Sequence, residues 1–97
     1  MTLQLAELFY QSYQTAKSEL RLNSEMRDQL ERSLLSIPLN LSEGSAKSSP
    51  KERRKFYRIS LGSLSEVQCI LRLVNHPDLI KEADVLGASL YCLCIRT

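Results

Sequence analysis

The chain has 97 residues, 43% hydrophobic and 25% charged, with thirteen Lys and Arg against eleven Asp and Glu for a net charge of +2. That length suits one domain, spanning 1–97, near the lower size at which a single core can hold a fold unaided. No apolar run approaches the length that spans a bilayer, and the start lacks the basic opening and unbroken apolar stretch of a secretion signal, so a cytoplasmic protein is expected. Three cysteines, Cys69, Cys92 and Cys94, are an odd number without paired spacing, which argues against a disulfide framework.

A first helix is predicted over 3–20, with Leu5, Leu8, Phe9, Ser12, Ala16 and Leu20 on its inner side. Asn23 and Ser24 then offer side-chain oxygens to cap a second helix over 24–46. Along it Met26, Leu30, Leu34, Ile37, Leu41 and Gly44 recur at intervals of three and four, the mark of one buried stripe. Pro38 falls inside that stripe. It has no N–H to donate and its ring crowds the Leu34 carbonyl, at a cost of about 3 kcal/mol in a helix interior. Because the apolar spacing runs straight through, one helix kinked at Pro38 is expected rather than two helices.

Leu35 and Leu39 lie about 140–180° around the same helix from its stripe. A bundle of this size cannot cover both faces of one helix. Either a second subunit covers these leucines or they are singly exposed, as many surface leucines are. Two of them one turn apart favour a subunit interface.

Ser49-Pro50-Lys51-Glu52 starts the third helix. Serine stands at the N-cap, proline at the first helical position where its missing hydrogen costs nothing, and glutamate three residues on to complete a capping box. The helix is predicted to run to about Val74 and to bury Phe56, Ile59, Ser60, Ser63, Val67, Ile70, Leu71 and Val74. Ser60, Gly62 and Ser63 are small enough to admit a neighbouring helix at mid-length. Asn75-His76-Pro77-Asp78 reads as a turn, with Pro77 blocking continuation, Asp78 capping the next helix and His76 solvated. Leu79, Ala83, Leu86, Leu90 and Leu93 then form a coiled-coil-like seam on a fourth helix. Short connections favour antiparallel neighbours, so the pattern implies an all-α, up-down-up-down four-helix bundle.

Little in the chain suits catalysis or metal binding. His76 is the only histidine, and Cys92 and Cys94 point about 200° apart on a helix, so the two cannot share one ion. There is no glycine-rich phosphate loop and no nucleophile elbow. Glu43 and Glu66 are expected to pair with a basic side chain or a helix end rather than to act as an acid and base. A protein without enzymatic activity, metal or cofactor is expected.

Charge is the more instructive pattern. Six of the thirteen basic residues, Lys47, Lys51, Arg53, Arg54, Lys55 and Arg58, fall within twelve positions with only Glu52 opposing. That segment is +5, whereas the remainder, with seven basic and ten acidic residues, is −3. At about 100° per residue, Lys51, Arg54, Lys55 and Arg58 share one face of the third helix, opposite Phe56, Ser60 and Val67, and Arg72 falls near the same face further along. Such a stripe suits phosphate contact, with Lys47 and Arg53 assisting, and it also suits a plain solvated face. No aromatic ladder accompanies it, although Tyr57 is adjacent, so base-specific reading is not indicated.

Ser36-Ile37-Pro38-Leu39-Asn40-Leu41-Ser42-Glu43-Gly44, followed by Ser49, Glu52, Lys55 and Phe56 and then by Ile59-Ser60-Leu61-Gly62-Ser63 with Glu66, closely resembles a known pattern. It is that of the four-helix bundle proteins encoded in intervening sequences of bacterial 23S ribosomal RNA, whose relatives include the accessory protein of diversity-generating retroelements. Residues 36–66 align with the family string without gaps. Lys55 stands where the family usually has arginine, and Ser42 and Ser60 where it usually has alanine. The aromatic-rich opening common in the family is weaker here, since the chain has no tryptophan. The resemblance implies a ring-shaped homopentamer, and with the charge pattern the expectation is a homo-oligomer that presents basic surfaces to RNA or DNA. It also leaves open an accessory subunit of a reverse transcriptase and its template RNA, or a purely structural oligomer.

Overall fold

The computed structural model describes residues 1–97, and every regular element in it is helical. α1 spans Thr2–Ala16 and ends in one 3₁₀ turn, Lys17–Glu19; α2 spans Ser24–Ser45, α3 Pro50–Val74 and α4 Pro77–Arg96. Each helix packs against its two neighbours in the order α1, α2, α3, α4 and back to α1, and the diagonal helices keep their backbones apart around one shared core. This is the expected four-helix bundle.

The helix starts follow the capping chemistry. The Asn23 side chain accepts the Met26 N–H at 2.8 Å, and the Ser49 hydroxyl accepts the Glu52 N–H at 3.4 Å behind Pro50. Asn75 takes the left-handed conformation, φ 54°, and ends α3. α4 corrects the sequence reading. Its cap is His76, whose Nδ1 accepts the Leu79 N–H at 3.3 Å, while Asp78 sits in the first turn. Since Nδ1 accepts, the ring proton is on Nε2, which lies 3.0 Å from Glu19 Oε1 and ties the end of α1 to the start of α4. His76 is therefore not a solvated turn residue but a half-buried joint.

α2 remains helical across Pro38 without a break. The inner stripe of α2 is as expected, with Leu30, Leu34, Ile37, Leu41 and Gly44 buried, and so is the seam of Leu79, Ala83, Leu86 and Leu90 in α4. In the other two helices the buried stripe is rotated from the predicted one. α1 buries Ala6, Phe9 and Tyr13 and leaves Leu8 exposed; α3 buries Tyr57, Ser60, Leu64, Val67 and Leu71, with Ile59 exposed and Phe56 and Ser63 at the edge. In α1 a tyrosine whose hydroxyl finds a polar outlet competes successfully for the core with a neighbouring leucine, and in α3 the Tyr57 ring fills the space over Gly44. Tyr13 donates to Glu31 Oε2 at 2.9 Å, and burial, followed by this bond to a carboxylate, pushes its phenol pKa up to about 12.

A polar seam fixes α3 against α2. The buried Ser60 hydroxyl donates to the Ile37 carbonyl at 2.9 Å, one residue before Pro38, and Ser36 and Ser63 share a hydroxyl bond of 2.8 Å. Asn40 donates its amide to the Ser36 carbonyl and hydroxyl at 2.9 and 3.0 Å, and Glu66 accepts from Gln29 at 2.6 Å and Ser33 at 3.1 Å. Partner numbers fall along α3 as they rise along α2, so the pair is antiparallel. Of the small residues expected to admit a neighbour, Ser60 and Ser63 do meet α2 and Gly62 does not, and Gly44 adds a further close approach. A Cβ on Gly44 would stand 2.7 Å from the Tyr57 ring, whereas one on Gly62 meets nothing within 4 Å.

Two outcomes follow. Gly44→Ala forces the Tyr57 ring aside and should lower unfolding free energy by about 1–3 kcal/mol, while Gly62→Ala gains helix propensity and should raise it by about 0.5–1 kcal/mol, both read from urea melts. Because the native phenol of Tyr13 holds its proton more tightly than an unfolded tyrosine does, its contribution is complete below pH 10 and lost as pH rises towards 12. The stability advantage of wild type over Tyr13→Phe should accordingly shrink across that interval.

Candidate nucleic-acid interface

The N-cap at Ser49 sets the phase of α3, and burial of Tyr57, Ser60 and Leu64 turns the opposite side outward. Lys51, Lys55 and Arg58 are exposed there and Arg54 is half-buried, and all four line one shallow surface depression with Ser49 and Glu52. None has a carboxylate oxygen within 4 Å. The one Lys or Arg ion pair of the molecule is Lys47 with Glu43, at 3.2 Å, while His76 meets Glu19 through its Nε2–H. Lys51, in the first turn, also sits at the positive end of the α3 dipole, where cations are disfavoured and anions attracted. Four cations without a carboxylate partner make the surface attractive to an anion.

The remaining basic residues singled out from the sequence lie elsewhere or are engaged. Arg53 donates Nη1 to the Lys47 and Ser48 carbonyls at 3.0 Å each, so it staples the α2–α3 connection. Lys47 is held by Glu43 and by the Phe56 ring, whose centroid is 5.2 Å from Nζ. Arg72 lies fourteen residues beyond Arg58, about 21 Å along the helix, and outside the cluster. Tyr57, the aromatic next to the stripe in sequence, is buried over Gly44 and unavailable to a ligand.

The carboxylates do not converge. Glu43 pairs with Lys47 as expected, and Glu66 accepts from α2 side chains, ten or so residues away along the helix pair. No three His, Cys, Asp or Glu side chains gather at one place. Cys92 lines an open cleft with Thr2, Leu3 and Arg96, whereas Cys94 is close enough to Arg58 for its charge to oppose the upward push of burial on the thiol pKa. No helix is long and apolar enough to cross a membrane.

On the back of α2, Leu35 and Leu39 are 47% and 58% exposed. Leu35 and Pro38 border a shallow depression with Glu7, Tyr10 and Gln11 of α1.

No curated protein and no solved structure matches this chain. A family model described as 23S rRNA-intervening sequence protein matches residues 1–95, nearly the whole bundle including the Pro38 seam and the basic start of α3, and the chain belongs to that family.

Proposed function

We propose that the protein is a non-enzymatic, cytoplasmic homo-oligomer that presents the outward face of α3 to the phosphate backbone of RNA or DNA. The observation that carries this reading is the grouping of Lys51, Arg54, Lys55 and Arg58 on one face with no carboxylate partner. Four unpaired cations over two helical turns attract a polyanion without demanding a base sequence. Self-association is supported by the apolar back of α2, where Leu35 and Leu39 stand free beside Pro38. A ring, pentameric as the family resemblance implies, repeats the basic face several times on one assembly, and that multiplies a weak single-site attraction through effective concentration.

Changing Lys51, Arg54, Lys55 and Arg58 together to glutamine should weaken binding to structured RNA and to duplex DNA and flatten the slope of log affinity against log salt, since each lost phosphate contact releases fewer counterions. Circular dichroism should report an unchanged helix content. Equal affinities and slopes for wild type and variant return this face to simple solvation. Arg53→Ala serves as a control that loosens the α2–α3 connection and should leave the salt slope close to wild type.

A leucine buried at a subunit contact contributes about 1.5–3 kcal/mol. Leu35→Asp with Leu39→Asp should therefore lower the mass seen by light scattering while the bundle stays folded. A wild-type protein that is monomeric at roughly 10–50 µM would sink the interface.

A further inference from the structure

The basic face of α3 does not stand alone, because α4 places an aromatic beside it. The Gln68 amide donates to Asp84 at 3.1 Å, Leu64 faces Gly87, and Arg58 acts on Cys94, so each pair of facing residues steps down α4 as it steps up α3. The same register sets Tyr91 level with Leu61, three residues from Arg58 along the groove between the two helices. Asp84, Gly87 and Tyr91 share the α3-facing flank of α4, since successive offsets of three and four residues keep to one side of a helix. Tyr91 is nonetheless 58% exposed, so its ring lies open at the mouth of the groove. Arg54 and Arg58 turn to the α4 side of the cluster and Lys51 and Lys55 away from it, by the same helical geometry.

We propose that Tyr91 is a stacking platform for an unpaired base and that this groove takes single-stranded nucleic acid in preference to duplex. The inference rests on the phosphate reading of the α3 face and adds the form of nucleic acid it selects. A strand whose phosphates contact Arg54 and Arg58 carries its next bases towards Tyr91, about 4–5 Å further along the helix axis. In a duplex the base faces are already stacked and turned from the protein, so only the phosphate contacts are available. In a single strand every base offers a face, and stacking adds to affinity without sequence choice. Asp84, whose carboxylate holds the Gln68 amide, bounds the groove on the far side of Tyr91 and repels phosphate there. The occupied length is therefore the half of the groove from Lys51 to Tyr91. A polyanion suits this groove better than a second copy of the chain, because the cations beside Tyr91 lack partners and would be desolvated unpaired in an apolar contact.

The test uses labelled oligouridine and a duplex RNA of equal length, titrated by fluorescence anisotropy with wild type, Tyr91→Leu and Tyr91→Trp over a range of salt. Wild type should bind oligouridine more tightly than duplex. Tyr91→Leu should weaken oligouridine binding by about 5- to 100-fold and leave duplex affinity and salt slope unchanged. Tyr91→Trp should retain affinity, and its fluorescence, the only tryptophan signal in the chain, should be quenched by oligouridine. Wild type binding both probes equally, with no effect of Tyr91→Leu, overturns the stacking role and spares the phosphate reading. Wild type binding neither probe sinks both. A fall in oligomer mass on Tyr91→Leu with unchanged affinities assigns Tyr91 to a contact between copies instead.

Discussion

The antiparallel packing of α3 on α2 is the constraint from which the rest of the molecule follows. It is made by a buried serine hydroxyl reaching a main-chain carbonyl, Ser60 to Ile37, flanked by the Ser36–Ser63 bond and closed at the far end by Gly44 beneath the Tyr57 ring. Hydrogen bonds are directional where apolar contact is not, so this seam sets both the register and the rotation of α3. Rotation is what matters for function. With Ser60 held inward, Lys51, Arg54, Lys55 and Arg58 can only point out.

Pro38 belongs to the same device. A proline in a helix withholds a donor from the carbonyl four residues back, here Leu34, and the two carbonyls just before Pro38 take side-chain donors, Ser60 at Ile37 and Asn40 at Ser36. The string around Pro38 thus supplies the α2 side of an interhelical polar lock. Seen this way, its pairing with small residues in α3 is mechanical. A serine at 60 brings its oxygen to the α2 backbone without adding bulk, and glycine at 44 lets the ring of Tyr57 close the end of the contact.

Charge and stability are in opposition at the start of α3. The capping serine and Pro50 favour the helix there, whereas a run of cations at its positive end opposes it. Arg53 turns part of that cost to structural use by clamping the α2–α3 connection, and Lys47 does so through Glu43 and Phe56. Lys51, Arg54, Lys55 and Arg58, which lack a carboxylate partner, form the surface open to an external anion. The apolar back of α2 lies apart from this face, so the proposed self-association and the proposed anion contact would not compete for one surface.

The existence, number and approximate limits of the helices were legible in the sequence, because caps and prolines act locally: Asn23, Ser49 and Pro50 mark starts that depend on a few adjacent residues. So was the inner stripe of α2 and of α4, where leucines at three and four leave one choice of face. In α1 and α3 two neighbouring stripes compete, and the choice between Leu8 and Tyr13, or between Ile59 and Tyr57, turns on a partner in another helix: Glu31 for the Tyr13 hydroxyl, Gly44 for the Tyr57 ring. The histidine cap was hidden for the same reason, since His76 is fixed by Glu19, 57 residues away. Concentration of charge in 47–58 was plain from the sequence alone. Which of those cations are spoken for, and that Tyr91 rather than Tyr57 stands open beside them, only the packing of α3 between α2 and α4 decided, because exposure is a property of neighbours and not of the residue itself.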